Sequence, residues 1–294
     1  MKISDILKKK RTLSFEVFPP KKESNNYQKL FDTILNLKKY NPDFISVTYG
    51  ASGSLSKNTV DIASFIKNEA GIEALAHITG GPSSYEDIDK LANELKEANI
   101  ENVLALRGDK PVTYEGEYCK YFPHATDLQQ YLKKYSFSVA GACYPEGHNE
   151  SPTLYDDLYY MKKKEELGAE FFITQLFYDN SYYYRLVNEA RKMNITAPII
   201  PRIMPLVNSK NIARIKNMCG SAIPLSFRNM IEIYKDNPQV MEEIGINYAV
   251  YQIIDLLAMG APGVHIYIMN NAGIAEKIYL RLENVIEEFF RTEK

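Results

Sequence analysis

The sequence predicts an α/β fold, a (β/α)8 TIM barrel, on three observations. Strand and helix signals alternate almost without exception over 294 residues, and eight such units in this length match that fold. The Gly-x-Gly-x-x-Gly run that normally follows an early strand of a doubly wound, nucleotide-binding sheet is absent. The composition also shifts nowhere in the way that marks a linker or a low-complexity segment. We therefore expect a single barrel domain over residues 1–294.

Charge and composition exclude several classes of protein. Acidic and basic residues nearly cancel, with a net charge of −2, and they are interspersed, so nucleic-acid binding is not expected. The first residues lack the apolar run of a signal peptide, and no apolar segment reaches the length of a membrane span. The three cysteines show no metal-ligand or redox spacing. We expect a cytoplasmic protein with no membrane segment and no metal.

The first predicted strand, Ser14–Phe18, carries a single carboxylate, Glu16, among apolar residues. Pro19 and Pro20 end this strand, because proline lacks the N–H that a ladder needs. A bare charge is costly in such a strand, so Glu16 needs partners or lies at a mouth where a substrate arrives. A structural glutamate bonded to backbone amides is the alternative.

The other strands are predicted from short apolar and β-branched runs. They are Phe44–Thr48, Glu73–Thr79, Asn102–Leu106, Ser138–Cys143, Phe171–Gln175, a segment within Pro198–Met204, and Val264–Ile268.

The helices between them are predicted from helical apolar spacing and from capping residues. The first helix runs from a Ser24 cap through Leu37, and the third begins at a Ser83/Glu86 capping box and runs through Leu95. The other single helices are predicted over Thr59–Glu69, about Thr126–Tyr135, Leu154–Leu167, Asn180–Lys192 and Ala272–Arg291. Two or three further helices are predicted within Ser209–Met259.

Polar residues stand at the ends of six successive predicted strands. The carboxyl ends of barrel strands converge on one mouth, where catalytic groups are held. Each residue alone has a structural explanation, such as a core histidine or a turn, but six units ending in this way favour a functional site. These residues are Glu16, Thr48 and Tyr49, His77, Arg107-Gly108-Asp109, Tyr144, and Gln175.

The helix after the fifth strand adds a polar face. Asp157, Tyr160 and Lys164 are spaced at i, i+3 and i+7, so they lie on one side of the helix. The run Lys162-Lys163-Lys164 adds three positive charges near the end of this helix. Next to Arg107, this face could hold a ribose and a pyrophosphate. A solvated helix face is the alternative.

Five motifs, in order along nearly the whole chain, resemble methylenetetrahydrofolate reductase of the short bacterial type that lacks a regulatory domain. They are Phe15–Pro20, Ser46–Ala51, Leu106–Asp109, Tyr144–His148 and Ile173–Phe177. The resemblance implies a (β/α)8 barrel with FAD at its C-terminal mouth.

The resemblance also implies a chemistry. A reduced nicotinamide gives hydride to FAD, and the reduced flavin passes it to 5,10-methylenetetrahydrofolate, giving 5-methyltetrahydrofolate. Glu16 matches the general acid that opens the folate imidazolidine ring, and its apolar strand should raise its pKa. Asp109 matches a catalytic carboxylate near the flavin, and Gln175 matches a residue that contacts both substrates.

The family's binding residues are carried over onto matching positions. The implied FAD contacts are Thr48, Tyr49, Ala51, His77, Arg107, Gly108, Asp109, His124, Ala125, Tyr144, His148, Asp157, Tyr160, Lys163 and Lys164. The implied substrate contacts are Glu16, Thr48, Gln175, Asn211, Tyr267 and Asn271. Asn271 departs from the family pattern, since it stands where an arginine is usual.

The implied partners are methylenetetrahydrofolate and NAD(P)H, with an electron-transfer protein as an alternative donor, and we expect a homo-oligomer. Two other functions remain open: an FAD-containing barrel oxidoreductase that acts on another imine, and a flavin- or folate-binding subunit of a larger complex. The trio of Glu16, Asp109 and Gln175 argues against the binding subunit, because a scaffold does not need it.

Overall fold

The computed structural model describes residues 1–20, 27–49, 56–110, 117–209 and 221–290. Its sheet contains nine parallel strands within these ranges. They are β1 Thr12–Val17, β2 Phe44–Val47, β3 Glu73–Thr79, β4 Asn102–Leu106, β5 Ser138–Cys143, β6 Ala169–Thr174, β7 Ile199–Ile200, β8 Arg202–Ile203 and β9 Gly263–Tyr267.

The pairing of these strands forms a barrel, as the sequence predicts. Neighbouring strands pair in chain order from β1 to β7, and β1 also pairs with β9. The short strands β7 and β8 are two halves of one barrel strand, interrupted at Pro201, which has no N–H to donate. Because β7 pairs with β6 and β8 pairs with β9, this interrupted strand joins the two sides of the sheet.

The helices lie where the apolar spacing predicts them, with one addition at the N-terminus. They are α1 Ile3–Leu7, α2 Tyr27–Lys38, α3 Ser56–Ser64, α4 Tyr85–Glu97, α5 Ala125–Leu132, α6 Leu154–Glu166, α7 Asn180–Lys192, α8 Leu225–Tyr234, α9 Pro238–Ala258 and α10 Ala272–Phe290. A π-helical turn, Phe65–Glu69, continues α3, and a 3-10 turn, Lys133–Tyr135, continues α5. The predicted Ser24 cap lies outside the described residues. Within the described ranges, no helix has the length and apolar character that a bilayer span requires.

The helix that the sequence did not predict, α1, covers the N-terminal end of the barrel. Ile3 is fully buried among interior side chains that include Phe44 and Leu104. Its backbone N–H donates to Oδ1 of Asn102, at the start of β4, over 2.8 Å. Apolar packing therefore closes this end of the barrel and leaves the opposite end for the site.

The capping box of α4 is shifted by one residue from the predicted Ser83 and Glu86. Ser84 is the N-cap: its Oγ accepts from the Asp87 N–H (3.2 Å), and its own N–H donates to Oδ2 of Asp87 (2.9 Å). Ser83 donates instead to the carbonyl of Thr79. Both serines have an acidic residue three positions later, so the path of the chain out of β3 decides which one caps.

The barrel interior becomes polar towards the carboxyl ends of the strands. Side chains alternate along β1, so Phe15 and Val17 pack in the core under the helices while Ser14 and Glu16 face the interior. Phe44 and Leu75 fill the interior near the start of their strands. The polar groups around Glu16 therefore lie towards the carboxyl end of the barrel.

Candidate active site

Glu16 lies at the centre of the polar end of the barrel, with 1% of its surface exposed. Nη2 of Arg202, on β8, donates to Oε1 of Glu16 over 2.5 Å. Nε2 of His265, on β9, lies 3.3 Å from Oε2. Strands β8 and β9 pair with Arg202 opposite His265, so one rung of the sheet brings both groups to the carboxylate.

Two serines hold the imidazole of His265. Oγ of Ser14 lies 2.8 Å from Nδ1, and Oγ of Ser46 lies 3.0 Å from Nε2. Burial is the main cause that lowers the pKa of His265, although its contact with Glu16 opposes this. His265 is therefore a fixed polar neighbour of Oε2 of Glu16, while Arg202 binds Oε1.

The pKa of Glu16 moves in the direction opposite to the one that the sequence predicted. Burial alone would raise this pKa, but the Arg202 guanidinium and the His265 hydrogen bond outweigh burial and hold it well below the usual range. Glu16 is thus a carboxylate at neutral pH in this arrangement. The prediction of a raised pKa was wrong because it weighed the apolar strand without the cation that faces it.

Arg202 also joins two other predicted substrate residues to Glu16. Its Nη1 donates to Oε1 of Gln175 over 3.1 Å, and its Cζ lies 4.9 Å from the centre of the Tyr267 ring. Neither Arg202 nor His265 was predicted from the sequence. A signal was present for each, since Arg202 is a charge in an apolar strand and His265 is a lone polar residue among β-branched ones.

His77 lies on β3 with 6% of its surface exposed, and it is close enough to Glu16 to interact electrostatically. Its Nε2 is buried and has no hydrogen-bond partner within the described part of the chain. Burial lowers the pKa of His77 to about 4. The imidazole is therefore neutral at physiological pH.

Replacing His77 by glutamine should flatten the dependence of stability on pH. The pKa of His77 is about 4 in the folded protein, against an ordinary value of 6.5. As the pH falls, His77 is therefore protonated in the unfolded chain before it is protonated in the folded protein, and the free energy of unfolding decreases. This residue alone accounts for about 3 kcal/mol of lost unfolding free energy between about pH 7 and pH 4.

Urea unfolding of the wild type and of His77→Gln across this pH range measures how the free energy of unfolding of each protein depends on pH. His124→Gln is the control, because that imidazole is exposed. Equal pH dependence in the wild type and His77→Gln would mean that His77 has the same pKa in the folded protein as in the unfolded chain.

A second group of predicted residues gathers where β4 ends. Gly108 has a φ of +85°, and a Cβ there would lie 2.9 Å from the Tyr118 hydroxyl and 3.1 Å from Cγ2 of Thr79. Glycine is needed at this position for both reasons. The guanidinium of Arg107 binds both carboxylate oxygens of Glu150, at 2.5 and 2.9 Å. Glu150 was not predicted from the sequence.

Asp157 holds the loop that follows β5. Its carboxylate accepts from the backbone N–H of His148 (2.7 Å) and from Oγ of Ser151 (2.6 Å). The ring of His148 lies edge-on to that of Tyr144, with 4.7 Å between the ring centres. Burial, and next the Asp109 carboxylate, raise the pKa of the Tyr144 hydroxyl.

Lys164 is half-buried on the same side of α6 as Asp157. Its Nζ donates to the carbonyl of Ala142 over 2.7 Å, and burial lowers its pKa. Tyr160 and Lys163 lie farther out: the Tyr160 ring is exposed, with Nζ of Lys163 at 5.8 Å from its centre. The predicted face therefore divides into an inner pair, Asp157 and Lys164, which is half-buried, and an outer pair, Tyr160 and Lys163.

His124 and Ala125 begin α5 beside that outer pair. The backbone N–H of His124 donates to Oδ2 of Asp127 over 2.7 Å, and its ring centre lies 5.9 Å from that of Tyr160. Asp109 is exposed at the mouth.

The remaining predicted contacts are at other loops. Thr48 follows β2, with its N–H bonded to the carbonyl of Val17, and burial raises the pKa of Tyr49. Oδ1 of Asn271 accepts from the N–H of Gly273 over 3.0 Å, at the start of α10. Ala51 and Asn211 lie outside the described residues.

In the part of the chain that the structure describes, no three His, Cys, Asp or Glu side chains form a group suited to a metal ion.

Comparisons with known proteins identify similar sequences. A family model described as methylenetetrahydrofolate reductase matches residues 2–283. Methylenetetrahydrofolate reductase (NADH) 1 of Arabidopsis thaliana is 36% identical over 288 residues, which cover 92% of this chain and 48% of the relative. The 5,10-methylenetetrahydrofolate reductase of Buchnera aphidicola subsp. Schizaphis graminum is 32% identical over 282 residues, covering 93% of this chain and 95% of the relative.

The chain thus spans about half the length of the plant and yeast relatives that it matches. Among solved structures, an uncharacterized protein from Clostridium thermocellum that binds two copies of 5-methyl-5,6,7,8-tetrahydrofolic acid has a similar fold. It aligns with a TM-score of 0.64 and 14% sequence identity over 98% of this chain and all of that one. At this identity, the likeness supports the barrel fold alone.

Proposed function

The chain belongs to the methylenetetrahydrofolate reductase family, and from this premise we propose that it reduces 5,10-methylenetetrahydrofolate to 5-methyltetrahydrofolate, with FAD carrying the hydride from a reduced donor. The observation that carries the proposal is the carboxylate of Glu16, buried at the barrel mouth beside Gln175 and Tyr267 through their shared contact with Arg202. The name of the Arabidopsis relative supports NADH as the donor.

The residues at the ends of β3 and β4 fit a flavin. Backbone can approach a flat ring closely at Gly108, which has no Cβ. The buried Oγ1 of Thr79 and Nε2 of His77 have no partner within the described residues, so both remain able to bond to a ligand. In our proposal, these three residues hold the isoalloxazine ring and Arg107 binds the pyrophosphate. FAD bound here would supply the two-electron redox chemistry.

The chain's own task is then to prepare the folate. Opening the imidazolidine ring moves a proton to the anilinic nitrogen and leaves a cationic iminium at the pterin nitrogen. Carboxylates at the mouth stabilise such a cation, and Glu16 and Asp109 are suited to that role. Gln175, an amide with both donor and acceptor atoms, would orient the substrate.

Replacing Glu150 by glutamine should strengthen FAD binding about two- to fivefold. In the present arrangement Glu150 binds both forks of the Arg107 guanidinium and so competes with an anionic group of the cofactor. Glu150 is largely exposed, so the pair contributes only about 0–1 kcal/mol, which limits the gain to that range.

Quenching of flavin fluorescence by the apoprotein measures this dissociation constant. Glu166→Gln is the control, because it makes the same charge change at an exposed position near the end of α6. Weaker FAD binding by Glu150→Gln would show that Glu150 contributes to the cofactor site instead of competing for Arg107.

The proposed function is tested by following the two half-reactions without oxygen. The protein, reconstituted with FAD, is titrated first with NADH and separately with NADPH, and the reduced protein is then mixed with methylenetetrahydrofolate. We expect the flavin absorbance to bleach and return, with 5-methyltetrahydrofolate as the product on chromatography. Failure to bind FAD would overturn the cofactor assignment. A reduced flavin that methylenetetrahydrofolate does not reoxidise would favour the other imine-reducing function.

A further inference from the structure

Arg202 makes a contact with three of the residues that the family resemblance assigns to the substrate. Its two terminal nitrogens bind Glu16 (2.5 Å) and Gln175 (3.1 Å), and its guanidinium lies over the ring of Tyr267. The backbone N–H of Arg202 in turn donates to Oγ1 of Thr174 over 2.9 Å, which fixes the start of the side chain. The guanidinium is therefore held on several sides at the point where the folate would react.

The groups that face Glu16 come from three strands. Arg202 on β8 is the only full positive charge among the described residues that act on this carboxylate, since burial lowers the pKa values of both His265 on β9 and His77 on β3. The hydroxyl of Ser46 on β2 contacts His265 and is not charged. Arg202 thus contributes most to keeping Glu16 ionised, and the hydrogen bond from His265 adds to its effect.

We propose that Arg202 is a positioning residue that keeps Glu16 a carboxylate and thereby sets the pH range in which Glu16 can serve as the proton donor of the folate reaction. This inference deepens the proposed function and rests on it for the folate step. Its first part, the ionic state of Glu16, is independent of any substrate.

The proton transfer explains why this contact matters. In ring opening, the O–H bond of a protonated Glu16 breaks and an N–H bond forms at the anilinic nitrogen. The bond from that nitrogen to the one-carbon unit breaks, and its electron pair stays on the nitrogen while the pterin nitrogen forms the iminium. Glu16 is left as a carboxylate beside Arg202, which stabilises it. The same cation makes the initial protonation of Glu16, by a proton from water, rare near neutral pH.

Removing the charge of Arg202 should therefore move the reaction to higher pH. With Arg202→Gln, burial dominates the environment of Glu16 and the acid becomes protonated more readily. An acid with a higher pKa is protonated more often, but it is also a weaker proton donor. The rate above neutral pH should therefore rise by less than tenfold for each pH unit by which the midpoint of the pH profile moves. A merely structural role would change the rate equally at every pH.

Infrared difference spectroscopy of the ligand-free protein tests the ionic state directly. The spectrum of Glu16→Gln is subtracted from that of the wild type, and the spectrum of the double variant from that of Arg202→Gln. Between about pH 4 and 8, we expect no protonated-carboxyl band for Glu16 in the wild type and a band that grows as the pH falls in Arg202→Gln. Arg202→Lys keeps the charge, so it should show no band.

The pH profile of the folate half-reaction tests the second part of the proposal, that Arg202 sets the pH range in which Glu16 donates its proton. We expect its midpoint to rise by at least about one unit in Arg202→Gln and by much less in Arg202→Lys. The proposal is overturned if the wild type shows the protonated band near neutral pH, or if Arg202→Gln titrates like the wild type.

If Arg202→Gln does not fold, the wild-type spectrum still tests the proposal, because a protonated-carboxyl band of Glu16 near neutral pH would overturn it. A protein that shows the expected bands but does not react with methylenetetrahydrofolate would contradict the proposed function and leave the role of Arg202 at Glu16 intact.

Discussion

Replacing Glu16 by glutamine should slow the oxidation of the reduced protein by methylenetetrahydrofolate at least ~100-fold, the effect typical of losing an acid–base group. The reduction of the flavin by its donor should keep its rate, because that half-reaction opens no folate ring. The amide is nearly isosteric with the carboxyl, so the barrel should still form. Its stability should nevertheless fall by about 1–3 kcal/mol, since the Arg202 guanidinium loses its counter-ion.

Stopped-flow absorbance of the two half-reactions, together with urea unfolding, measures both effects. Glu166→Gln serves as the control, because it removes one exposed carboxylate far along α6 from the mouth. If both half-reactions slow by the same factor, Glu16 supports the structure of the site and takes no part in the folate step.

Replacing Gly245 by alanine should lower the free energy of unfolding by about 3 kcal/mol. In the interior of a helix this substitution ordinarily stabilises by about 1 kcal/mol, because alanine is the better helix former. Gly245 lies in α9, however, where a Cβ would stand 2.3 Å from the carbonyl oxygen and 2.5 Å from the carbonyl carbon of Leu206. These are backbone atoms, so relief requires the chain after β8 to move.

The matched control is Gly273→Ala in α10. A Cβ at Gly273 would meet only Oδ1 of Asn271, at 3.2 Å, and that atom is the end of a side chain that can turn away. Denaturant unfolding of both variants should give a loss for Gly245→Ala and a change within about 1 kcal/mol for Gly273→Ala. Equal stability of Gly245→Ala and the wild type would mean that α9 can move away from Leu206 at no cost.

The sequence predicted the barrel well because the barrel is built from local patterns. The apolar spacing of α7, Asn180–Lys192, gives the helix at the predicted residues. The two prolines after Phe18 end the first strand close to its predicted limit. The predicted boundary was wrong by one residue where two patterns overlap, at Ser83 and Ser84, because the local sequence supports both caps.

The candidate site was predicted in part. The strand-end residues Glu16, His77 and Gln175 do lie at the carboxyl ends of their strands, since alternation and strand order fix that end for every parallel strand. Their interactions could not be read from the same pattern. The prediction of a raised Glu16 pKa failed on this point, because it rested on the neighbours in sequence.

The sequence by itself determined the order of strands and helices, the barrel fold and the placement of Glu16, His77 and Gln175 at strand ends, because each depends on periodicity over a few residues. Only the tertiary structure decided the charge state of Glu16. Its ion-pair partner Arg202 is 186 positions away along the chain, and the two meet because the interrupted strand that carries Arg202 pairs with β9, which pairs with β1. A contact that forms only when the barrel closes cannot be predicted from the spacing of residues along the chain. The electrostatic energy between Arg202 and Glu16 depends instead on the distance between them in space.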